Sequence, residues 1–370
     1  MIHVLNVISD ANIGGAGRCL LNFLKYYDRS RYLVSVALPQ DSQLIPEIRK
    51  LDTPIYEIPD FADRSFSLSA TVALRKLIRQ LRPDIVHTHG AMAGRIAAKG
   101  TKAKIIYTRH SAFPVPERIK KNPGRFVYKT INEFFSHRII AVSQACKENL
   151  TDGGISEDRI TVMLNGVEAV TPVSAEEVRG LKVHYNIAED DFVLGIMARV
   201  EDYKGHMYIL EALRMLADEG RKVKLIVAGD GDYLPAVQAR CAELQLNHHV
   251  VFAGFVQNVA GILSIMDLQL NASYGTEASS LAMIEGFSMG LPVVASDYGG
   301  NPWMVEQGEN GFLFPSRDSA AMADALRNIL DDPDLYAYLS RRSREIYSER
   351  FTGEIFARNV EAVYEQTLAE

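Results

Sequence analysis

The sequence predicts an α/β protein of two doubly wound domains, each built on a parallel sheet. Short runs rich in valine and isoleucine alternate with amphipathic segments along the whole chain. These runs are continuously apolar, as expected for strands that are covered on both faces. A polar stretch at 168–175 interrupts the alternation, which then restarts. For 370 residues we expect domains at 1–170 and 171–345, and a C-terminal helix at 346–370 that packs across their junction.

The strand candidates follow one another in a regular order. In the first domain they read HVLNVIS, YLVSVALP, PIYEIP, DIVHTH, AKIIYTRH, RIIAVS and ITVMLNGV, with helical patterns at 18–27, 70–81 and 125–137. In the second they read FVLGIMARV, VKLIVAGD, HVVFAGFV, LQLNAS, LPVVASD and GFLFP, with helices at 204–219 and 320–330. Apolar runs of this length, separated by helices, are typical of repeated strand–helix–strand units.

Composition disfavours several classes of protein. The chain carries 40 Lys and Arg against 46 Asp and Glu, and this net charge of −6 disfavours a nucleic-acid binder. Its three cysteines lie far apart, which fits neither a disulfide framework nor a zinc site. Residues 1–9 read as a buried strand rather than a signal peptide, and no apolar run reaches about 18 residues. We therefore expect a cytoplasmic protein that contacts a membrane at most peripherally, on its inner face.

A glycine-rich loop from Gly14 to Gly17 joins the first strand to a helix predicted to start near Arg18. Such a loop directs bare backbone N–H groups and a helix N-terminus at an anion. A dinucleotide fingerprint would need a third glycine where Leu20 stands, which weakens that interpretation. The alternative is a tight turn that binds no ligand.

Two cations follow the first strand of the second domain. Arg199 lies at the end of FVLGIMARV, and Lys204 precedes the next helix. A bidentate guanidinium and a compact ammonium at the carboxyl edge of a parallel strand suit a diphosphate. The alternative is a pair of solvated surface cations.

Two glutamates lie in the segment NASYGTEASSLAMIEGFSMG. Glu277 is in the loop before a helix, where the amides of Ser279, Ser280 and Leu281 are placed to bind a phosphate. Glu285 lies within the helix and could accept two hydrogen bonds from a ribose diol. The alternative is that Glu277 caps the helix while Glu285 lies on a solvated face.

We predict no essential metal. Asp230 and Asp232 resemble a metal-binding Asp-x-Asp pair, but they stand between a strand and a helix, where helix capping is the expected role. His87 and His89 are alternate residues of one strand. We take their rings to face opposite sides of the sheet, which disfavours a shared metal ion.

Together these motifs resemble the signature of retaining family 4 glycosyltransferases of GT-B architecture. The two glutamates, followed by GLPVVA at 290–295 and Gly299-Gly300, carry most of the resemblance. It extends along the chain through the glycine loop, DIVHTHG at 84–90, TRH at 108–110, IAVSQA at 140–145, LNGV at 164–167 and ARVEDYKG at 198–205. The resemblance implies two Rossmann-like domains that face each other across a cleft.

The resemblance also implies roles for individual residues. The catalytic set would be His110, beside the donor sugar, Glu277 on the sugar hydroxyls, and Arg199 and Lys204 on the diphosphate. The alternative for His110 is a core histidine at a strand end. The donor-binding set would add Gly14, Gly15, Val256, Ser279, Ser280, Leu281 and Glu285. Of these, Val256 would offer its backbone to the base, and Glu285 would bind the ribose. The chain departs from many members at 277–280, where Glu-Ala-Ser-Ser replaces Glu-Gly-Phe-Gly.

The implied reaction moves a hexose, with retention, from a nucleoside-diphosphate sugar to a hydroxyl of a glycan or lipid-linked acceptor. We expect UDP rather than GDP in the donor, and a role in cell-envelope or exopolysaccharide synthesis. Residues 114–138 carry six basic and two acidic side chains, with five aromatic residues at or beside them. Such a segment could bind anionic lipid headgroups. The alternative is an amphipathic helix whose aromatic residues belong to the core.

Three other functions remain as alternatives: an epimerase, an oxidoreductase and an inactive scaffold. A nucleotide-sugar epimerase of GT-B architecture would release its product without an acceptor. An NAD-dependent oxidoreductase would need an acidic ribose ligand after the second strand, where only Asp41 is available. An inactive scaffold would be favoured if the sequence at 277–280 could not hold a donor.

Overall fold

Two units make up the computed structural model, which describes all 370 residues. The first unit consists of Met1–Val167 and Thr352–Glu370, and the second of Glu168–Phe351. Each contains one sheet, and every strand pair in both sheets is parallel. The prediction of two Rossmann-like, doubly wound α/β domains is therefore confirmed.

The strands coincide with the apolar runs of the sequence. They are β1 (Ile2–Ile8), β2 (Tyr32–Pro39), β3 (Ile55–Ile58), β4 (Ile85–His89), β5 (Lys104–Arg109), β6 (Arg138–Ala141), β7 (Ile160–Val162), β8 (Phe192–Met197), β9 (Val223–Ala228), β10 (Val250–Gly254), β11 (Leu268–Asn271), β12 (Val293–Ser296) and β13 (Gly311–Phe314). The first sheet has the order β3-β2-β1-β4-β5-β6-β7, and the second has the order β10-β9-β8-β11-β12-β13. The order therefore reverses between β1 and β4 and between β8 and β11, and ligands of such sheets bind beyond the carboxyl ends at the reversal.

Sixteen helices connect and cover the strands. They are α1 (Gly15–Tyr26), α2 (Leu44–Arg49), α3 (Leu68–Leu81), α4 (Met92–Ala98), α5 (Glu117–Lys120), α6 (Gly124–Phe134), α7 (Gln144–Asp152), α8 (Ala175–His184), α9 (His206–Asp218), α10 (Leu234–Glu243), α11 (Val259–Ser264), α12 (Leu281–Met289), α13 (Asn301–Met304), α14 (Ser319–Leu330), α15 (Pro333–Arg350) and α16 (Gly353–Ala369). None of them combines the length and the apolar character that spanning a membrane requires.

The C-terminal region forms two helices with a break between them. Residues 346–350 belong to α15, so the last helix begins at Gly353 rather than near 346. Thr352 causes the restart, because its hydroxyl accepts a hydrogen bond from the Ile355 amide and caps α16. In the first unit α16 packs on α1, where the ring centroids of Phe23 and Tyr364 lie 5.8 Å apart, edge to face.

Candidate functional site

The predicted residues of the second unit meet at the carboxyl edge of its sheet. Arg199 and Lys204 follow β8, and Glu277 follows β11. These two strands are adjacent, with Leu268 opposite Leu194. The site therefore lies where the strand order reverses.

Glu277 is a buried carboxylate that three donors hold through one oxygen. Its Oε2 accepts hydrogen bonds from Lys204 Nζ at 2.8 Å, Ser273 Oγ at 2.9 Å and Asn271 Nδ2 at 3.3 Å. The Lys204 and Glu277 side chains are only 18% and 8% exposed. Its other oxygen, Oε1, has no hydrogen-bond partner within the chain and remains available to a ligand.

Sequence reasoning missed Asn271 and Ser273, and it did not predict the ion pair between Lys204 and Glu277. A signal for the first two was present. Asn271 ends β11 and Ser273 is two residues further on, so the two polar side chains point to the same side of an extended segment. The interpretation of Glu277 as a helix cap is wrong, because its carboxylate is bound to Lys204.

Two glycines bring the backbone segments of this site together. Gly205 has φ 75°, and a Cβ there would lie 2.1 Å from the Ala272 carbonyl oxygen. Gly299 has φ 65°, and a Cβ there would lie 2.3 Å from the carbonyl oxygen of Glu277. Only glycine permits both the conformation and the approach. The Gly300 amide also donates to the Glu277 carbonyl, so the loop that carries the carboxylate is fixed from both sides.

The N-terminus of α12 follows Glu277 directly. Ser280 is its N-cap, and the hydroxyl accepts a hydrogen bond from the Met283 amide at 3.4 Å. Leu281 is the first helical residue, so its amide has no partner four residues earlier in the helix. Ser279 is buried, and Glu285 is half-buried in the middle of α12.

Arg199 and Val256 lie at the same edge of the sheet. Arg199 is exposed, and its guanidinium donates to the Tyr203 hydroxyl at 3.4 Å. Val256 follows β10 and is partly buried against a cluster of apolar side chains. The predicted residues of the second unit therefore all lie on segments that follow β8, β10 or β11.

In the first unit, helix α1 begins at Gly15, three residues before the predicted start. Gly14 is the N-cap, and a Cβ added at Gly15 would meet open space. Gly17 is part of the helix, where a Cβ would lie 2.9 Å from Leu44 Cδ2. The tight packing of α1 on Leu44 therefore explains Gly17, whereas Gly14 and Gly15 present backbone to the carboxyl edge of the sheet.

His110 lies at the end of a row of three histidine rings. The ring centroids of His87 and His89 are 4.5 Å apart, and those of His89 and His110 are 5.2 Å apart. The expectation that His87 and His89 face opposite sides is wrong, because residues i and i+2 of a strand point to the same face. Burial lowers the pKa of His87 to about 3 and that of His110 to about 4. Burial, followed by the neighbouring His87 and His110, lowers the pKa of His89 well below its usual range.

Asp230 does not cap a helix, contrary to the prediction. Its carboxylate accepts a hydrogen bond from the amide of Gly231, whereas α10 begins only at Leu234. The Asp230 side chain therefore stabilises the turn after β9. No group of three or more His, Cys, Asp or Glu side chains is arranged to hold a metal ion. That no metal is essential stays a prediction.

Helix α6 presents apolar side chains to solvent. Phe126 is 67% exposed and Phe134 is 54% exposed, and Val127 and Ile131 are also exposed. Asn132 is the only buried residue of this helix. The interpretation that the aromatic residues of α6 belong to the core is therefore wrong for Phe126 and Phe134.

Comparison with known proteins agrees with the geometry. The family model for Glycosyltransferase Family 4 matches residues 13–170, and the model for Glycosyl transferases group 1 matches residues 180–346. The UDP-Gal:alpha-D-GlcNAc-diphosphoundecaprenol alpha-1,3-galactosyltransferase of Escherichia coli is 26% identical over 284 residues, 72% of this chain and 71% of that protein. The alpha-monoglucosyldiacylglycerol synthase of Acholeplasma laidlawii is 24% identical and covers 84% of this chain and 82% of its own.

A solved structure shows the same fold. Anabaena HepE, solved in complexes with UDP and with UDP-glucose, superposes on 99% of this chain and 100% of its own, with 22% identity and a TM-score of 0.84 in the UDP complex. The two family models together match most of the chain, and they favour a glycosyltransferase over an oxidoreductase. The chain therefore belongs to the family 4 and group 1 glycosyltransferases, with the GT-B fold.

Proposed function

We propose that this glycosyltransferase moves a hexose from a UDP-sugar to a hydroxyl of a glycan or glycolipid, with retention of the anomeric configuration. The observation that carries the proposal is the buried Glu277 carboxylate. One of its oxygens is held by Lys204, Asn271 and Ser273, and the other is unpaired. A carboxylate fixed in this way is suited to accept a hydrogen bond from a sugar hydroxyl without changing its own position.

The leaving diphosphate would be stabilised by fixed positive charge. Lys204, held in place by Glu277, would supply part of this charge through its remaining ammonium donors, and Arg199 and the N-terminus of α12 would supply the rest. In the first unit, Gly14 and Gly15 would let the phosphates approach the backbone. Val256 would contact the base and Glu285 the ribose. Since these groups supply the charge that a divalent cation supplies in other transferases, no metal would be essential.

Retention would follow from attack on the face that the leaving group vacates, with the leaving phosphate taking the proton of the acceptor hydroxyl. Glu277 would then position the sugar rather than attack it. Its ion pair with Lys204 supports this role, because the ammonium draws negative charge towards Oε2 and leaves Oε1 a weaker nucleophile than an oxygen of a free carboxylate.

The acceptor would be lipid-linked and presented at an anionic membrane surface. Two relatives are named for lipid-linked or lipid acceptors, a diphosphoundecaprenol and a diacylglycerol. In this chain, Phe126, Val127, Ile131 and Phe134 form an exposed apolar strip on α6. An amphipathic helix with such a strip and nearby cations suits the boundary between headgroups and acyl chains. This would place the enzyme on the inner face of the cell membrane.

The stretch of chain that contains α6 is also basic. Residues 64–138 carry 16 Lys and Arg against three Asp and Glu, although the whole chain has a net charge of −6. Anionic lipids attract clusters of this kind, by about 1 kcal/mol for each Lys or Arg near the surface.

A donor screen tests the proposal. UDP-, GDP- and ADP-sugars are added to the protein with a chelator present, and the thermal unfolding midpoint is recorded. A UDP-hexose should raise the midpoint, since a ligand that binds only the folded state stabilises it. NMR of the first product formed from the stabilising donor should show the donor's own anomeric configuration. A preference for GDP- or ADP-sugars, loss of turnover with the chelator, or an inverted product would contradict the proposal. Conversion of the donor to its epimer without an acceptor would indicate an epimerase.

A further inference from the structure

In the first unit, hydrogen bonds connect two of the three histidines to the buried side-chain amide of Asn6. His110 Nε2 lies 3.0 Å from His89 Nδ1, and His89 Nε2 lies 3.1 Å from Asn6 Oδ1. Asn6 is fully buried and His89 is 7% exposed. The third ring, His87, has separate partners, since its Nδ1 lies 2.8 Å from the Tyr364 hydroxyl and its Nε2 lies 2.7 Å from the Thr108 hydroxyl.

Each of these rings carries a single proton at neutral pH. The three imidazoles lie side by side, with His87 and His89 buried and His110 partly buried, and no carboxylate is among their hydrogen-bond partners, so a charge on any of them would be poorly stabilised. Their lowered pKa values agree with this. A neutral imidazole has one N–H donor and one bare nitrogen acceptor, so the partner of one nitrogen decides the state of the other.

The protons can be traced from Asn6 outwards. In this structure the Asn6 amide directs Oδ1 at His89, and since this oxygen can only accept, His89 carries its proton on Nε2 in this arrangement. His89 Nδ1 is then bare, and the hydrogen bond to His110 requires a proton on His110 Nε2. The Nδ1 atom of His110 then carries no proton, and its lone pair has no hydrogen-bond donor in the chain.

We propose that Asn6 and His89 are positioning residues that fix His110 in the Nε2–H tautomer, so that its Nδ1 accepts a hydrogen bond from a hydroxyl of the donor sugar. This inference rests on the proposed function, in which His110 meets that sugar. In this contact the sugar hydroxyl donates the hydrogen bond and His110 accepts it. His110 in this state has no proton on Nδ1 to give to the leaving phosphate, so it orients the sugar and does not act as a general acid.

The tautomer can be measured without any activity. The protein is labelled with 15N-histidine, and His110 is assigned by comparison with His110→Gln. Long-range 1H–15N spectra at pH 7 distinguish a protonated ring nitrogen from a bare one. We expect a protonated Nε2 and a bare Nδ1 on His110. The opposite tautomer, which would follow if the Asn6 amide were reversed and donated to His89, would overturn the proposal, as would a charged ring.

Two variants separate positioning from packing. Asn6→Leu has a similar volume but removes the acceptor, so His110 should populate both tautomers. Turnover of UDP-glucose should fall by roughly tenfold, the effect of one hydrogen bond, while UDP affinity by calorimetry stays within about twofold. The matched control is Tyr364→Phe, which removes a buried hydrogen bond to His87 but leaves the chain from Asn6 to His110 intact. It should change neither the tautomer nor turnover.

These outcomes are distinguishable from failure of the proposed function. If the wild-type protein neither binds UDP nor turns over any UDP-hexose of the donor screen, the proposed function fails whatever the spectra show. If it does both, equal turnover in Asn6→Leu and the wild type would overturn the positioning role. If Asn6→Leu does not fold, the spectrum of the wild-type protein still decides the tautomer.

Discussion

At the scale of single residues, an ion pair joins Lys204, which the sequence assigns to the diphosphate, to Glu277, which it assigns to the sugar hydroxyls. Both side chains are largely buried, and removing one partner leaves the other as an uncompensated charge. Asn271 and Ser273 keep their bonds to Glu277 when Lys204 is removed, whereas the Lys204 ammonium has no other hydrogen-bond partner in the chain. The two substitutions should therefore have unequal consequences.

Replacing Glu277 with glutamine tests this coupling. The amide keeps the shape of the side chain but loses the charge that positions the sugar and Lys204. We expect turnover of UDP-glucose to fall roughly 100-fold, as when one fixed electrostatic contact is lost at a reacting centre. UDP affinity should stay within about threefold, because the diphosphate contacts of Arg199 and α12 remain. A loss of UDP affinity as large as that in Lys204→Ala, measured by calorimetry, would contradict this division of roles.

The residue types of this site were predictable, but their pairing was not. Glu277, Lys204 and Arg199 stand out because charged residues at the carboxyl ends of apolar runs indicate a site. That Lys204 bonds to Glu277 depends on β8 lying beside β11, and nothing within either segment specifies that neighbour. Asn271 and Ser273 were not predicted because polar residues at the end of a strand are common and do not by themselves indicate a site.

At the scale of elements, the N-terminus of α12 has a matched counterpart in the same unit. Ser280 caps α12 by accepting from the Met283 amide, and Ser174 caps α8 by accepting from the Glu177 amide. Each Ser→Ala substitution should cost about 1 kcal/mol of unfolding free energy. Only Ser280→Ala should weaken UDP binding, by a few-fold in calorimetry, because only α12 follows Glu277. Equal UDP affinity in the two variants would show that the α12 terminus does not bind the diphosphate.

Helix α6 makes a second prediction at this scale. Phe126→Asp and Phe134→Asp place charge on the exposed apolar strip and should lower co-sedimentation with phosphatidylglycerol vesicles several-fold. Val183→Asp is the control, since Val183 is 81% exposed on α8 in the second unit and lies outside residues 64–138. Vesicles of phosphatidylcholine alone should bind weakly. Binding that depends neither on anionic lipid nor on these substitutions would contradict the proposal that α6 binds an anionic membrane surface.

The sequence predicts that an element exists better than it predicts where the element ends or which of its faces is buried. The continuous apolar runs identified every strand, because burial on both sides requires them. The start of α1 was placed three residues late, since glycines look like a turn until Gly17 is seen packed on Leu44. The burial of α6 could not be predicted, because an aromatic residue on an amphipathic helix indicates an apolar face without saying what covers it.

At the scale of the whole molecule, buried neutral histidines make stability depend on pH. Burial lowers the pKa of His87 to about 3, of His110 to about 4 and of His206 to about 4, and lowers that of His89 strongly. In the unfolded chain each histidine binds a proton below pH of about 6.5. The unfolded state therefore binds more protons than the folded state as the pH falls from 6.5 towards 4, so acid destabilises the fold.

Urea titrations at pH 7 and pH 5 check this dependence. Each buried histidine should contribute a loss of about 2 kcal/mol over this interval, from about 1.4 kcal/mol for each pH unit below 6.5. His206 has no partner on either ring nitrogen, so His206→Leu should fold and lose less stability on acidification than the wild type. The same change in urea midpoint for both proteins, or no change between pH 7 and pH 5, would contradict the assignment of neutral buried histidines.

We infer that the carboxyl edge of the second sheet binds the diphosphate of a UDP-sugar through Lys204 and its neighbours. The most direct measurement is a calorimetric titration of UDP into the wild-type protein, Lys204→Ala and the control Lys222→Ala. Lys222 is an exposed cation of the same unit that pairs with Asp190, at the start of the strands rather than at their carboxyl ends. We expect the wild type and Lys222→Ala to bind UDP with equal affinity, and Lys204→Ala to lose tenfold or more in affinity, about 1.4 kcal/mol. No binding by the wild type, or equal binding by Lys204→Ala, would contradict it.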